Sequence, residues 1–320
     1  MGRRFEYLRL SLTDVCNFRC SYCLPDGYRK AKGAPSNLSV EEITRLVRGF
    51  AVLGLWKVRL TGGEPTVRRE FTDIARAIAD VPGIRRLAVT TNGYRLAERA
   101  QSYADAGLRA INISVDSLRP DAFRDITGHD RLGEILLGVD RCREAGFESI
   151  KLNTVLLKSV NHAELDDFIA FVRARDVALR FIELMRTNDN ADYFEQRHLP
   201  AHVVSDRLEA LGWQRVPRQI GAGPAVEYQH PESCGRIGII APYSKDFCAG
   251  CNRLRVSATG KLHLCLFGDG TADLRPLLQS DDQQDALVER ITGLMGMKPA
   301  GHRLHTGNSG ATPHLASIGG

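Results

Sequence analysis

Cys16, Cys20 and Cys23 follow a C-x3-C-x2-C spacing, which places three thiols on a stretch short enough to converge on one metal centre. Four-iron clusters normally take one thiolate per iron, so a trio leaves one iron without a protein ligand. An open iron of that kind can chelate the amine and carboxylate of a bound methionine group. A closed zinc site is the other use of such thiols, but it needs a fourth ligand and no His lies near this loop.

A second trio, Cys248, Cys251 and Cys265, has 13 residues between its last two members. It supports a second cluster with an open iron, a Lewis acid for a substrate nitrogen or oxygen. Zinc remains open here, because His263 stands two residues before Cys265 and could complete a closed site. Arg253 and Arg255 lie between the cysteines, and on an extended segment residues i and i+2 share a face, where two guanidinium groups could meet an anionic or purine-like ligand. Thr61-Gly62-Gly63-Glu64-Pro65 offers a glycine pair directly after a strand candidate, where backbone groups can approach a ligand closely. Cys142 reads as a buried apolar residue and Cys234 as an incidental loop thiol.

The elements that must position these residues are legible as a rhythm. Strand candidates at Tyr7–Leu12, Lys57–Leu60, Arg86–Thr91, Ala110–Ser114, Ser149–Leu156 and Ala178–Glu183 alternate with helix candidates at Ser39–Leu53, Glu70–Ala79, Ala97–Ala106, Leu132–Ala145 and Ala163–Ala174. Ser39-Val40-Glu41-Glu42 has capping-box spacing, and Gly54 is a plausible stop. Six strands with crossover helices predict an α/β fold, an open, partial (β/α)6 barrel over residues 1–190. Its chemistry belongs in the loops after the strands' C-terminal ends, the first of which carries Cys16, Cys20 and Cys23. Residues 191–320 read as a smaller C-terminal region holding the second cysteine trio, and the Gly-, Pro- and His-rich stretch from Gly293 onward as a poorly structured tail unless something pins it.

The 320 residues are 43% hydrophobic and carry a formal charge of +5, from 43 Lys and Arg against 38 Asp and Glu, which suits an anionic small molecule as well as nucleic acid. No apolar run approaches the length of a membrane helix and the start lacks the apolar stretch of a signal peptide, so the chain reads as cytoplasmic with no membrane partner.

Thr13-Asp14-Val15-Cys16-Asn17-Phe18-Arg19-Cys20-Ser21-Tyr22-Cys23 resembles the radical S-adenosylmethionine superfamily, including the aromatic residue before the third cysteine. Adding the second trio, Arg59-Leu60-Thr61-Gly62-Gly63-Glu64-Pro65, Thr90-Thr91-Asn92-Gly93, Asn112-Ile113-Ser114-Val115-Asp116, Arg180-Phe181-Ile182-Glu183 and the terminal Gly319-Gly320, nearly the whole chain is similar to the GTP 3′,8-cyclases that open molybdenum-cofactor biosynthesis.

The resemblance implies a radical SAM fold, two [4Fe-4S] clusters and S-adenosyl-L-methionine, and a lyase that closes GTP to (8S)-3′,8-cyclo-7,8-dihydroguanosine 5′-triphosphate. It assigns Tyr22, Gly63, Ser114 and Met185 to S-adenosylmethionine. To GTP it assigns Arg9, Arg59, Thr90, Lys151, Arg180, Arg253 and Arg255. Catalytic roles fall to Arg253, Arg255, Gly319 and Gly320, the two glycines threading a channel that side chains would block. An electron donor, hand-off of product to the next enzyme of molybdopterin synthesis and a homodimer are implied partners; nucleic acid is not. The stretch Pro313-His314-Leu315-Ala316-Ser317-Ile318 departs from the basic, Met-containing approach usual before the terminal glycines.

Two other readings compete. A radical enzyme that modifies a peptide would use the second cluster as an electron conduit, with both clusters fully ligated by protein. A zinc-stabilised nucleic-acid-binding protein would carry its basic residues as a surface patch.

Overall fold

The computed structural model of the chain describes residues 5–29, 33–218, 223–245, 247–310 and 314–319. The six expected strands form as β1 (Tyr7–Ser11), β2 (Lys57–Thr61), β3 (Arg86–Thr91), β4 (Ala110–Ser114), β5 (Ser149–Leu156) and β6 (Ala178–Glu183). Helices α1 (Val40–Val52), α2 (Phe71–Ala79) and α3 (Leu96–Asp105) follow the first three. Then α4 (Pro120–Thr127) and α5 (Leu132–Glu144) follow β4, and α6 (Leu165–Arg173) follows β5. The six strands lie side by side in chain order and parallel, as in the expected open barrel.

The alternation of each strand explains both the core and the site. In β1, Leu8 and Leu10 are wholly buried on one face, while Tyr7 and Arg9 line the inner cavity; Val58 and Leu60 against Lys57 and Arg59 repeat the division in β2. The helices cover the apolar face. Ile43, Leu46, Val47 and Phe50 form the inward stripe of α1, and each such burial contributes about 1.5–3 kcal/mol. Ser39 and Glu42 make the reciprocal capping box, Glu42 N donating to Ser39 Oγ at 3.2 Å and Ser39 N to Glu42 Oε2 at 2.8 Å. The N–H of Gly54 returns to Ala51 O at 2.9 Å as the helix ends.

The rest of the chain does not sit apart from this sheet. After α7 (Ala191–Arg197) and α8 (His202–Ala210), β7 (Gln214–Arg215), β8 (Val226–Gln229) and β9 (Arg236–Ile240) extend one edge, with β9 parallel to β6. Then β10 (Arg253–Val256), β11 (Lys261–His263) and β12 (Thr271–Asp273) extend the other, with β10 parallel to β1. The described residues thus form one open twelve-stranded sheet, β12-β11-β10-β1-β2-β3-β4-β5-β6-β9-β8-β7. Among the described residues no helix is long and apolar enough to cross a membrane.

The tail expected from Gly293 onward is pinned at several described residues, and it is preceded and overlapped at its start by a helix that the sequence reading did not name. Helix α9 (Gln284–Met295) packs its Leu287, Ile291 and Leu294 inward, and Leu287 fits against Gly49 of α1, where a Cβ would come within 2.7 Å of it. Arg275 grips buried Glu42 of α1 from the same side, at 2.8 and 3.1 Å. Beyond α9, His302, Leu304, Ser309, Ala316 and Ile318 are buried.

Candidate active site

The inner face of the strands, from first residues such as Tyr7 and Lys57 to the loops after their C-terminal ends, and the two C-terminal edge extensions enclose a cavity of about 630 Å³. Both cysteine trios line it. The first is shaped by the loop after β1: Cys23 N and Leu24 N donate to Cys20 O at 2.9 and 3.0 Å, and Arg19 N and Ser21 N tie the loop to Thr127 O and Ile126 O at the end of α4. Burial pushes the Cys16 thiol up to about 11 and Cys23 to about 12, and raises Cys20 well above the usual thiol range. Thiols so placed ionise when a metal supplies the positive charge.

In the second trio burial raises Cys248, whereas at Cys251 the neighbouring Arg253 and Lys298 outweigh burial and bring the thiol down to about 7. Among the described residues no three Cys, His, Asp or Glu side chains are placed to hold a single metal ion. His263, in register with Arg255 on β11, is driven down to about 4 by burial and by Arg255. It is absent from the cavity lining that Cys265 joins. The three thiols of each trio line one cavity and are donors of the kind an iron-sulfur cluster takes.

The glycine pair supports the first loop from below. Gly62 has φ 138°, and a Cβ there would fall on the Thr13 carbonyl; at Gly63 a Cβ would lie 2.6 Å from Asp14 O. Gly63 N and Glu64 N donate to Thr13 O and Val15 O at 2.9 and 2.8 Å, so the β2 loop is zipped to the cysteine loop by backbone bonds. The wholly buried Glu64 accepts from Thr66 N and Oγ1, Thr91 Oγ1 and Asn92 N at 2.6–3.0 Å, which fixes the ends of β2 and β3 together. Burial raises its carboxyl in spite of these donors.

Tyr22, Gly63, Ser114 and Met185, expected at S-adenosylmethionine, all line the cavity that the first trio also lines. Tyr22 Oη donates to Asp116 Oδ2 at 2.8 Å, and Val155 N donates to Asp116 Oδ1 at 2.8 Å. Burial brings the Asp116 carboxyl up to about 6.

The expected substrate residues converge as well. Arg9, Arg59, Thr90, Lys151, Arg180, Arg253 and Arg255 line the same cavity, brought there by β1, β2, β3, β5, β6 and β10. Register makes rows of them: Arg9 stands opposite Arg59 on one side and Arg255 on the other, and Arg253 opposite Tyr7. Arg59 Nη1 donates to Val89 O at 3.1 Å and to Thr90 Oγ1 at 3.4 Å, and Arg180 pairs with Glu227 at 3.2 Å. Buried cations this close resist their own charge. Burial, with Arg59 and Arg253, lowers Arg9 to about 10; burial, with Arg180, Arg59 and Lys57, lowers Lys151 to about 7; and burial lowers Arg255 well below its ordinary value. Such a cluster is costly without an anion, and a polyphosphate answers it.

Gly319 sits beside the cavity against Thr61, where a Cβ would lie 2.8 Å from Thr61 Cβ, and its carbonyl accepts from Arg255 Nη1. Leu315 and Ala316 of the tail line the cavity. Gly320 lies outside the described residues. Sequence reasoning missed Lys57, Tyr7 and Glu183, which also line the cavity; the i, i+2 alternation with Arg9 and Arg59 was the available signal for the first two. Cys142 is buried and Cys234 exposed.

Residues 10–172 match the family described as Radical SAM superfamily, and residues 177–304 the family described as Molybdenum Cofactor Synthesis C. The chain is 57% identical over 319 residues to a GTP 3′,8-cyclase of Stenotrophomonas maltophilia, covering all of this chain and 98% of the relative. It is 56% identical over 323 residues to the GTP 3′,8-cyclase of Aeromonas hydrophila, covering all of this chain and 94% of that one. Among solved structures, Streptococcus suis SuiB bound to S-adenosylmethionine shares the fold, with a TM-score of 0.62 at 14% identity over 90% of this chain and 68% of that one. The chain belongs to the GTP 3′,8-cyclase family of the radical SAM superfamily.

Proposed function

We propose that the cavity binds S-adenosylmethionine and GTP side by side and that the enzyme, a lyase, closes GTP to (8S)-3′,8-cyclo-7,8-dihydroguanosine 5′-triphosphate, an early step of molybdenum-cofactor biosynthesis. One observation carries the reading: the two cysteine trios and the clustered cations of β1, β2, β5, β6 and β10 face one cavity. When bound, a cluster on Cys16, Cys20 and Cys23 together with S-adenosylmethionine supplies a 5′-deoxyadenosyl radical able to take hydrogen from the ribose C3′.

The chain's own residues do the rest. Tyr22, Gly63, Ser114 and Met185 hold the cofactor at the first trio. Arg9, Arg59, Thr90, Lys151 and Arg180 hold the triphosphate, and Arg253 and Arg255 orient the guanine toward a second [4Fe-4S] cluster on Cys248, Cys251 and Cys265. Fixing both ligands in one cavity turns a bimolecular abstraction into an intramolecular one. Gly319, whose carbonyl accepts from Arg255, and Gly320 after it keep the catalytic role that the family resemblance assigns them. The buried, inward-facing cations also weigh against a surface patch for nucleic acid.

An external electron donor, transfer of the product to the next enzyme of molybdopterin synthesis, a homodimer and a cytoplasmic location complete the proposal. Anaerobic incubation with GTP, S-adenosylmethionine and a reductant tests it. GTP-dependent 5′-deoxyadenosine with a cyclised nucleotide is the expected outcome; the absence of both rejects the assignment.

A further inference from the structure

Tyr7 stands in the middle of the cation cluster with no part in the roles assigned above. In register it lies between Lys57 of β2 and Arg253 of β10, one step along the strand from the row of Arg59, Arg9 and Arg255. Its hydroxyl accepts from Arg59 Nε, its ring lies 4.8 Å from Lys57 Nζ and 5.9 Å from the Arg59 guanidinium carbon, and it is buried against the cavity. The other phenol lining the cavity among the described residues, Tyr22, gives its hydroxyl to Asp116. Tyr7 instead turns its oxygen toward positive charge.

The charged groups facing it are Arg9 from its own strand, Lys57 and Arg59 from β2, Arg253 and Arg255 from β10, and Arg180 across the cavity, itself paired with Glu227. We propose that Tyr7 is a positioning residue for the substrate's polyphosphate: its oxygen fixes the Arg59 guanidinium among the clustered cations, and it surrenders that place to phosphate oxygens when the nucleotide enters. The inference rests on the reading that this cavity takes a nucleoside triphosphate.

The chemistry is a proton exchange. Burial alone would raise the phenol, but Arg59, Arg9 and Lys57 outweigh it and bring it down to about 7. The surrounding cations therefore bring the phenol's proton within reach of exchange near neutral pH. Triphosphate brings several negative charges to the same cations, cancels the field that stabilises the phenolate, and leaves the oxygen to take one proton from solvent. The neutral hydroxyl then serves as a donor to a phosphate oxygen, and the freed guanidinium of Arg59 is already aimed. Nothing is oxidised or reduced.

The test is calorimetric titration of the anaerobic holoenzyme with GTP, and with inorganic triphosphate as a second probe, in two buffers of different ionisation enthalpy at about pH 7.5. Tyr7→Phe keeps the ring beneath Lys57 and removes only the oxygen. The parent is expected to take up protons on binding, and Y7F to take up roughly half a proton fewer per site at unchanged iron content. Equal proton uptake by parent and Y7F overturns the proposal, whatever the affinity. A parent enzyme that binds neither GTP nor triphosphate removes the functional reading instead, so the two failures are distinguishable.

Discussion

The guanidinium of Arg255 holds the tail: its Nη1 donates to the carbonyl oxygens of Ile318, at 3.2 Å, and of Gly319. Arg255 is buried and faces Arg9 in register, so the group that orders the chain's end also belongs to the cation cluster. Arg255→Ala removes two charge-assisted hydrogen bonds, each contributing about 1.5 kcal/mol, and is expected to lower cyclised product about 100-fold. It should also expose the segment after Leu304 to limited proteolysis. A chain ending at Ile318 should lose product while keeping cluster content and melting temperature; retained product would remove the tail from the site.

Lys151 makes GTP affinity depend on pH with a defined sign. Burial and the cations Arg180, Arg59 and Lys57 lower its ammonium to about 7 in the free enzyme, and a bound triphosphate favours the charged form. Affinity is therefore greatest below about pH 7 and falls as pH rises, by up to about tenfold per unit for one linked proton. In Lys151→Met that component disappears. Dissociation constants of parent and variant should differ most at low pH and converge near pH 9, at roughly two units above the free value; parallel curves would show that Lys151 does not meet the phosphates.

Much of this fold is legible in the sequence, and the exceptions have physical reasons. Strands β1 to β6 announced themselves because each buries one face under helices and turns the other to a polar cavity, giving a clean alternation such as Leu8 and Leu10 against Tyr7 and Arg9. The Ser39 box was legible because capping is local. Pairing of β10 with β1 spans more than 240 residues and leaves no periodic trace, so nothing in Arg253–Val256 said which strand it would join. That pairing unites the two halves of the cation cluster. Helix α9 was obscured by the Gly- and Pro-rich stretch after it, although Leu287, Ile291 and Leu294 follow helical spacing. Lys57 belongs to no quoted motif and becomes conspicuous only beside Tyr7.

The cysteine trios should separate by assay. Cys248→Ser is expected to reduce iron and labile sulfide from roughly eight to roughly four per chain, keep reductant-driven cleavage of S-adenosylmethionine, and lose cyclised product. Cys20→Ser should abolish cleavage while leaving the second trio's iron in place. Equal loss of both activities in both variants would show that the two trios do not work independently.

Glu64 accepts from four donors, two from Thr66 in its own loop and two, Thr91 Oγ1 and Asn92 N, at the end of β3. Glu64→Ala strands those donors in a buried site and is expected to destabilise the protein by about 3 kcal/mol or more, read as a fall in melting temperature. Glu64→Gln should cost less, since one oxygen still accepts, but its amide must face donors such as Asn92 N. If the two variants melt together, the acceptor count is not what holds this loop.

The glycine pair itself gives the sharpest contrast between a local substitution and a distant readout. At Gly62 both the positive φ and the Thr13 carbonyl oppose a side chain, and at Gly63 the obstruction is the backbone of Asp14 and Val15. Neither neighbour is a flexible side-chain end that could swing away. Gly62→Ala and Gly63→Ala must therefore move the segment that leads into Cys16, although neither glycine is a thiol ligand. Both are expected to lose most iron from the first trio and most S-adenosylmethionine binding in anaerobically prepared protein. Gly133 of α5 and Gly270 have open space at the Cβ position, so their alanine variants serve as controls and should keep full iron content. Normal cluster loading in G62A and G63A would mean that the cysteine loop does not depend on close packing against β2, and the support ascribed to the Thr61–Pro65 segment would fall with it.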